Sequence, residues 1–136
     1  MADLAITPAN VLAMATASTE RSIAGATILA GQVVYKEAAT GQYKLAGARS
    51  GIAEAKIPYA IALDGAATGQ PLIVLTGGPI TIGATVVAGT AYYLSHTAGG
   101  IKPVADLAST DLVTLIGIAT STTVIDVRIH QSGVTL

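Results

Sequence analysis

The chain has 136 residues, a net charge of −1, only 11% charged residues, and no cysteine, tryptophan or phenylalanine. That length fits one domain, or two small halves packed as one. The few Lys and Arg residues are spread along the chain, which excludes the usual electrostatic route to nucleic acid or an anionic membrane. The missing cysteines exclude a disulfide framework and a thiolate metal site.

The chain opens without the basic residues and continuous apolar core of a signal peptide, so synthesis in the cytoplasm as a soluble protein is expected. Residues 1–20 hold one charge before Glu20, at Asp3, and mix Ile6, Pro8, Val11, Leu12 and Met14 with Thr, Ser and Ala. A solvated tail would be more charged and less apolar. This segment is expected to bind a neighbouring subunit, its own sheet or a larger partner surface. Exchange as an extended N-terminal arm is the favoured reading, with those five apolar residues as candidate contacts.

Residues 21–136 read as a single all-β domain. Short β-rich runs fall at 33–35, 59–63, 72–75, 80–82, 92–94, 112–118 and 124–129. Gly-, Pro- and Thr-bearing turn signals lie between them at 39–41, 64–65, 68–69, 77–79 and 98–100. Regular spacing of short strands predicts a compact sandwich or barrel rather than alternating βα units. Residues 50–56, capped by Ser50, and 103–107, with Pro103 at the first position, are the only helical candidates, each one or two turns at most. Residues 65–101 carry no charge, yet Pro71, Gly77, Gly78, Pro79 and Gly83 break them too often for a membrane helix.

An internal repeat organises the domain. The run GATILAG at 25–31 returns as GATVVAG at 83–89, an offset of 58 that also places Tyr35 on Tyr93, Gly41 on Gly99 and Lys44 on Lys102. Ala60-Ile61-Ala62 then resembles Gly117-Ile118-Ala119 after a one-residue slip. Two copies of one β unit, over 25–75 and 83–129, account for this pattern.

The last predicted strand alternates. Ile125, Val127 and Ile129 point one way, and Asp126, Arg128 and His130 the other. The polar trio is expected to form an outward face and to pair across a subunit interface. Nothing else gathers chemistry. His96 sits at a glycine-flanked hairpin tip, and Asp106 and Asp111 lack the further oxygen ligands of a calcium loop. No Gly-x-Ser-x-Gly elbow, His-Glu-x-x-His pair or Walker loop is present. The tyrosines suggest either a sugar-stacking platform or covers for barrel ends. No catalytic residue, metal or cofactor is assigned.

A low-charge chain without bulky rings has limited means of stabilising itself alone, so an oligomer is expected over a well-packed aliphatic monomer. The residues carrying a family likeness are Ala5–Val11, 24–27 with 30–36, 58–63 with 69–72, 81–85 through 91–94, and 115–119. Together they resemble small capsid decoration, or cement, proteins of tailed bacteriophages. That resemblance implies a compact β-barrel or β-tulip fold, a homotrimer, and a place on the virion capsid surface after synthesis in the bacterial cytoplasm. It further implies a non-enzymatic role clamping major capsid protein subunits of the expanded shell, with an N-terminal arm gripping it. A head-fibre or tail-tip protein with carbohydrate affinity is the alternative, and an enzyme of unrecognised type the third reading.

Overall fold

A computed structural model describes residues 3–136, so the first two residues of the expected arm lie outside it. Ten strands form one antiparallel sheet: β1 (Val11–Ala13), β2 (Ser18–Ile23), β3 (Val33–Lys36), β4 (Tyr43–Leu45), β5 (Ala60–Ala62), β6 (Pro71–Ile82), β7 (Ala91–Leu94), β8 (Ile101–Pro103), β9 (Leu112–Ala119) and β10 (Val124–Thr135). Their order in space is β4-β3-β5-β6-β10-β9-β7-β8, with β1 and β2 also paired to β6. The sheet curls into a half-barrel, consistent with the all-β compact fold expected from strand spacing.

The order reads the same from both ends, and so does the register. Tyr35 faces Lys44 across β3 and β4, and Tyr93 faces Lys102 across β7 and β8. Val33 faces Ile61 and Ala91 faces Ile118; Ile61 faces Leu75 and Ile118 faces Asp126. Turn glycines match as well, with φ of 90° and 84° at Gly31 and Gly89, and 71° and 77° at Gly41 and Gly99. Both halves therefore run through the same hydrogen-bond pattern.

β6 joins the two halves. Its first part lies between β2 and β5, its second between β1 and β10. The turn expected at 77–79 is absent. Gly78, at φ 99°, lets the strand bend without ending, because a Cβ there would stand 2.8 Å from Ala17 Cα. Next to this bend the β2 register slips by one residue, a bulge of the kind by which a strand passes from one sheet lobe to another.

The leading segment also departs from an extended arm. In the first half the sheet closes on itself, with Gly25 N–H donating to Tyr43 O at 2.7 Å. In the second half the matching positions, Gly83 and Ile101, are held apart by the leading segment. Leu4 N–H donates to Ile101 O and Thr7 N–H to Gly83 O, each at 2.8 Å, before β1 pairs with β6. Of the three binding surfaces considered for this segment, it occupies the protein's own sheet. A boundary at residue 20 also falls inside β2, which runs alongside β6.

The extra strand gives the halves unequal cores. Ala24, Ile28, Val34, Tyr43, Ala60, Ala62, Leu72 and Val74 make the smaller one. The larger holds Ile80, Ile82, Tyr92, Leu94, Ile101, Ile116, Ile125 and Val127, together with Val33, Tyr35, Ile61 and Leu75 from the first half's outer wall. Both helical candidates are single 3-10 turns, Ala53–Lys56 and Val104–Asp106, too short to persist without the walls they pack on. Ser50 is not the capping residue of the first; its Oγ accepts from Ile52 N–H at 3.1 Å.

Gly83 tests the docking of the leading segment. At φ 76°, a Cβ would stand 2.6 Å from Thr7 O, whereas Gly69, at φ 88°, has nothing within 4 Å. Gly69→Ala should cost about 1 kcal/mol, from left-handed backbone alone. Gly83→Ala should cost about 1–3 kcal/mol more, because the new methyl meets backbone and cannot be relieved by a rotamer change. Urea unfolding of both variants measures the difference, and equal losses would mean that the segment is not seated there.

Candidate interaction surface

Alternation along β1, β6, β10 and β9 sorts side chains between core and exterior. Ala13, Ile80 and Ile125 share one inward row. On the outward side, Leu12 stands beside Thr81 and Val124, and the next outward row runs Pro79, Asp126, Ile118 and Ala91. Met14 extends that row, since its N–H donates to Pro79 O at 3.1 Å. Tyr93, Leu115 and His130 form a further row.

The structure thus brings five of the eight proposed contact residues, Leu12, Met14, Asp126, Arg128 and His130, onto one outward sheet face. Leu12 is 67% exposed and Met14 43%. Ile6 and Val11 lie elsewhere. Val11 is in the larger core, and Ile6 packs against that core, close to Gly31. Pro8 is exposed at a 3-10 turn just ahead of β1. Ile125 and Val127 are buried on the opposite side of β10, as the alternation required.

Sequence reasoning missed Ile118, 47% exposed in the middle of this face. Within the run 112–118 it reads as one more buried β-branched residue. The amino-acid order carries no signal for it: its partner across the sheet is Asp126, where the first half has Leu75, and that register is set by tertiary pairing. Arg128 Nε lies 3.5 Å from Asp126 Oδ2 with its side chain 84% exposed, so the pair is loosely held and contributes little by itself. A shallow depression is lined by Leu115, Gly117, Ile118, Asp126 and Arg128.

The ionisable groups that are tightly held serve as clamps. Asp111 is fully buried and accepts from Lys102 Nζ, from Arg49 Nε at 2.7 Å and from Ala108 N–H at 2.9 Å. Burial raises its pKa, but the hydrogen bonds to its charged form outweigh that and leave it below the ordinary carboxylate value. The preceding Thr110 adopts φ 75°, a costly conformation for a β-branched residue, held by its N–H to Leu136 O at 2.7 Å. His96 Nδ1 lies 3.3 Å from Lys102 Nζ. Its neighbour Ser95 donates instead to Asp3 Oδ1 at 2.6 Å, so nucleophile and imidazole are not aligned.

The second clamp is Glu20, which accepts from Tyr43 Oη, from Tyr59 Oη at 2.7 Å and from Lys36 Nζ at 3.1 Å. The two phenols, then the ammonium, hold its carboxyl below the usual range; burial and the facing carboxylate push the Tyr43 phenol up. Tyr35, Tyr43 and Tyr92 are buried, so the tyrosines do not make a common exposed platform. Among the described residues no three His, Asp or Glu side chains gather as a metal site. Nor, among the described residues, is any helix long and apolar enough to cross a membrane.

Comparison with known proteins found no matching family model, curated protein or solved structure. The chemistry of the outward face and of the clamps therefore carries the functional reading.

Removing one member of the buried clamp should be costly. Asp111→Ala leaves Lys102 charged and unpaired in the interior, a loss of about 3–5 kcal/mol, whereas replacing both by aliphatic residues should recover most of it. The depressed pKa of Asp111 and Glu20 sets the pH dependence. Their stabilisation is complete above the unfolded carboxylate pKa, about 4, and is lost as pH falls through the lower folded values. Unfolding midpoints from pH 7 to pH 2 should drop below pH 4 in the wild type, with a shallower acid limb in Glu20→Gln.

Proposed function

We propose that this chain is a non-enzymatic structural protein that decorates and stabilises the expanded capsid of a tailed phage. It binds across major capsid protein subunits as a homotrimer on the virion surface, after synthesis in the bacterial cytoplasm. The observation that carries the proposal is the outward face that β1 shares with β6, β10 and β9, where Leu12 and Met14 stay exposed in a chain with so few charges. Aliphatic side chains grouped on one sheet face mark a protein-binding surface. The likeness of the sequence to cement proteins supplies the capsid as partner.

A capsid role suits such a face. Each copy contributes a modest apolar contact, and the lattice repeats it many times, so the shell gains stability without any single tight bond. Because residues 3–14 complete the protein's own sheet, the grip on the shell comes from their outward side chains. Leu12 and Met14 press on capsid subunits while Val11 and Ala13 stay in or against the core. Expansion of the shell would create the matching apolar surface, which makes binding selective for the mature form.

Co-sedimentation with expanded and precursor shells tests this. The wild type should bind expanded shells only, raise their melting temperature, and depend weakly on salt, since few charge pairs contribute. The double variant Leu12→Asp, Met14→Asp should bind at least ~100-fold more weakly, as about 1.5–3 kcal/mol is lost per aliphatic side chain. Absence of binding to expanded heads at micromolar concentration would refute the capsid role.

A further inference from the structure

We infer that the β9–β10 part of this outward face, centred on Ile118, is a two-fold contact with a second copy of the same chain. The inference rests on the reading of the face as an assembly surface and goes beyond it by naming an occupant and a symmetry.

The first argument comes from the repeat. Val33, Ile61 and Leu75 form a row across β3, β5 and β6, and Ala91, Ile118 and Asp126 form the equivalent row across β7, β9 and β10. The first row is fully buried, packed in the larger core against the second half of the same chain. In the second row Ile118 is 47% exposed. One position in the fold is thus a packing face in one copy of the unit and uncovered in the other. This position of the unit is therefore one at which the fold accepts protein packing, and the charges beside it decide the occupant.

The second argument is charge. Asp126 and Arg128 stand two residues apart on β10, at the rim of the depression around Leu115 and Ile118. Their mutual contact is long, 3.5 Å, with Arg128 almost wholly in solvent. A face carrying one acid and one base side by side is its own complement. When β10 of one copy runs antiparallel to β10 of another about an axis near Val127, Arg128 of each meets Asp126 of the other. Such an isologous contact closes after two copies. It pairs subunits, or pairs trimers into hexamers, and leaves Leu12 and Met14 at the far end of the face for the shell.

Sedimentation equilibrium of the purified chain, without any capsid, tests the inference. At about 50 μM the wild type should show an even-numbered mass, and Ile118→Glu should halve it. Arg128→Asp should halve it too, by setting acid against acid, and the swap Asp126→Arg with Arg128→Asp should restore it. Circular dichroism confirms folding, and because Ile118 and Arg128 are exposed and Asp126 is half-buried on the outward face, no variant removes core. A wild type of single or odd-numbered mass, an Ile118→Glu variant of unchanged mass, or a swap that stays dissociated would each overturn the two-fold contact. Shell binding measured on the same samples separates that result from failure of the capsid role. If the wild type proves single or odd-numbered yet still binds expanded heads, only the two-fold contact has failed.

Discussion

Every backbone N–H and C=O that leaves solvent needs a partner, and a sheet made of short strands has many edges at which partners run out. Here the difficulty is sharpest at β8, a three-residue strand that ends the spatial order. In the first half the opening of the unit folds back to satisfy the corresponding strand, β4, through Gly25. In the second half Gly83 and Ile101 stand apart, and the leading segment bridges them. Much else follows from that insertion. The second half gains a strand, and its core extends to the outer wall of the first half.

Such duplication with divergence explains how a chain without Phe or Trp builds a core. Ala-rich packing suffices for the first half, where Ala24, Ala60, Ala62 and Ala66 bring the strands close around Ile28 and Tyr43. At equivalent positions the second half has Ile82 for Ala24 and Tyr92 for Val34, both larger, but Val86 for Ile28 and Ile101 for Tyr43, both smaller. β6 serves both halves, so neither can open without disturbing the other.

Charge is spent sparingly, and its placement separates structure from interaction. Asp111, Lys102 and Arg49 tie the excursion after β8 to the 46–49 stretch, and Glu20 ties β2 to Tyr43 and Tyr59. Both clusters have their hydrogen bonds supplied from within the chain. Asp126 and Arg128 contrast with them, weakly paired and outward beside exposed aliphatic side chains. On the interaction surface proposed here, shape and apolar area would carry affinity, and the few charges would set register.

Several features were legible in the amino-acid order because they depend on short-range physics. Alternation along β10 placed Ile125 and Val127 inside and Asp126 and Arg128 outside, since side chains on a strand alternate whatever surrounds them. The spacing of β-branched runs between glycines indicated an all-β domain, and the offset of 58 aligned Tyr35 with Tyr93 and Lys44 with Lys102, which the sheet then sets in equivalent facing pairs. What tertiary structure alone decided concerns pieces whose partners are far along the chain. Residues 77–79 look like a turn, yet β2, β1 and β10 pair along both sides and keep β6 extended through them. Residues 3–13 have the character of a segment seeking a surface, and only the gap between Gly83 and Ile101 determined that the surface would be their own sheet. Ile61 and Ile118 are the same residue in the same repeat position, one buried and one exposed, because burial is set by what lies across the sheet face and local sequence does not encode it.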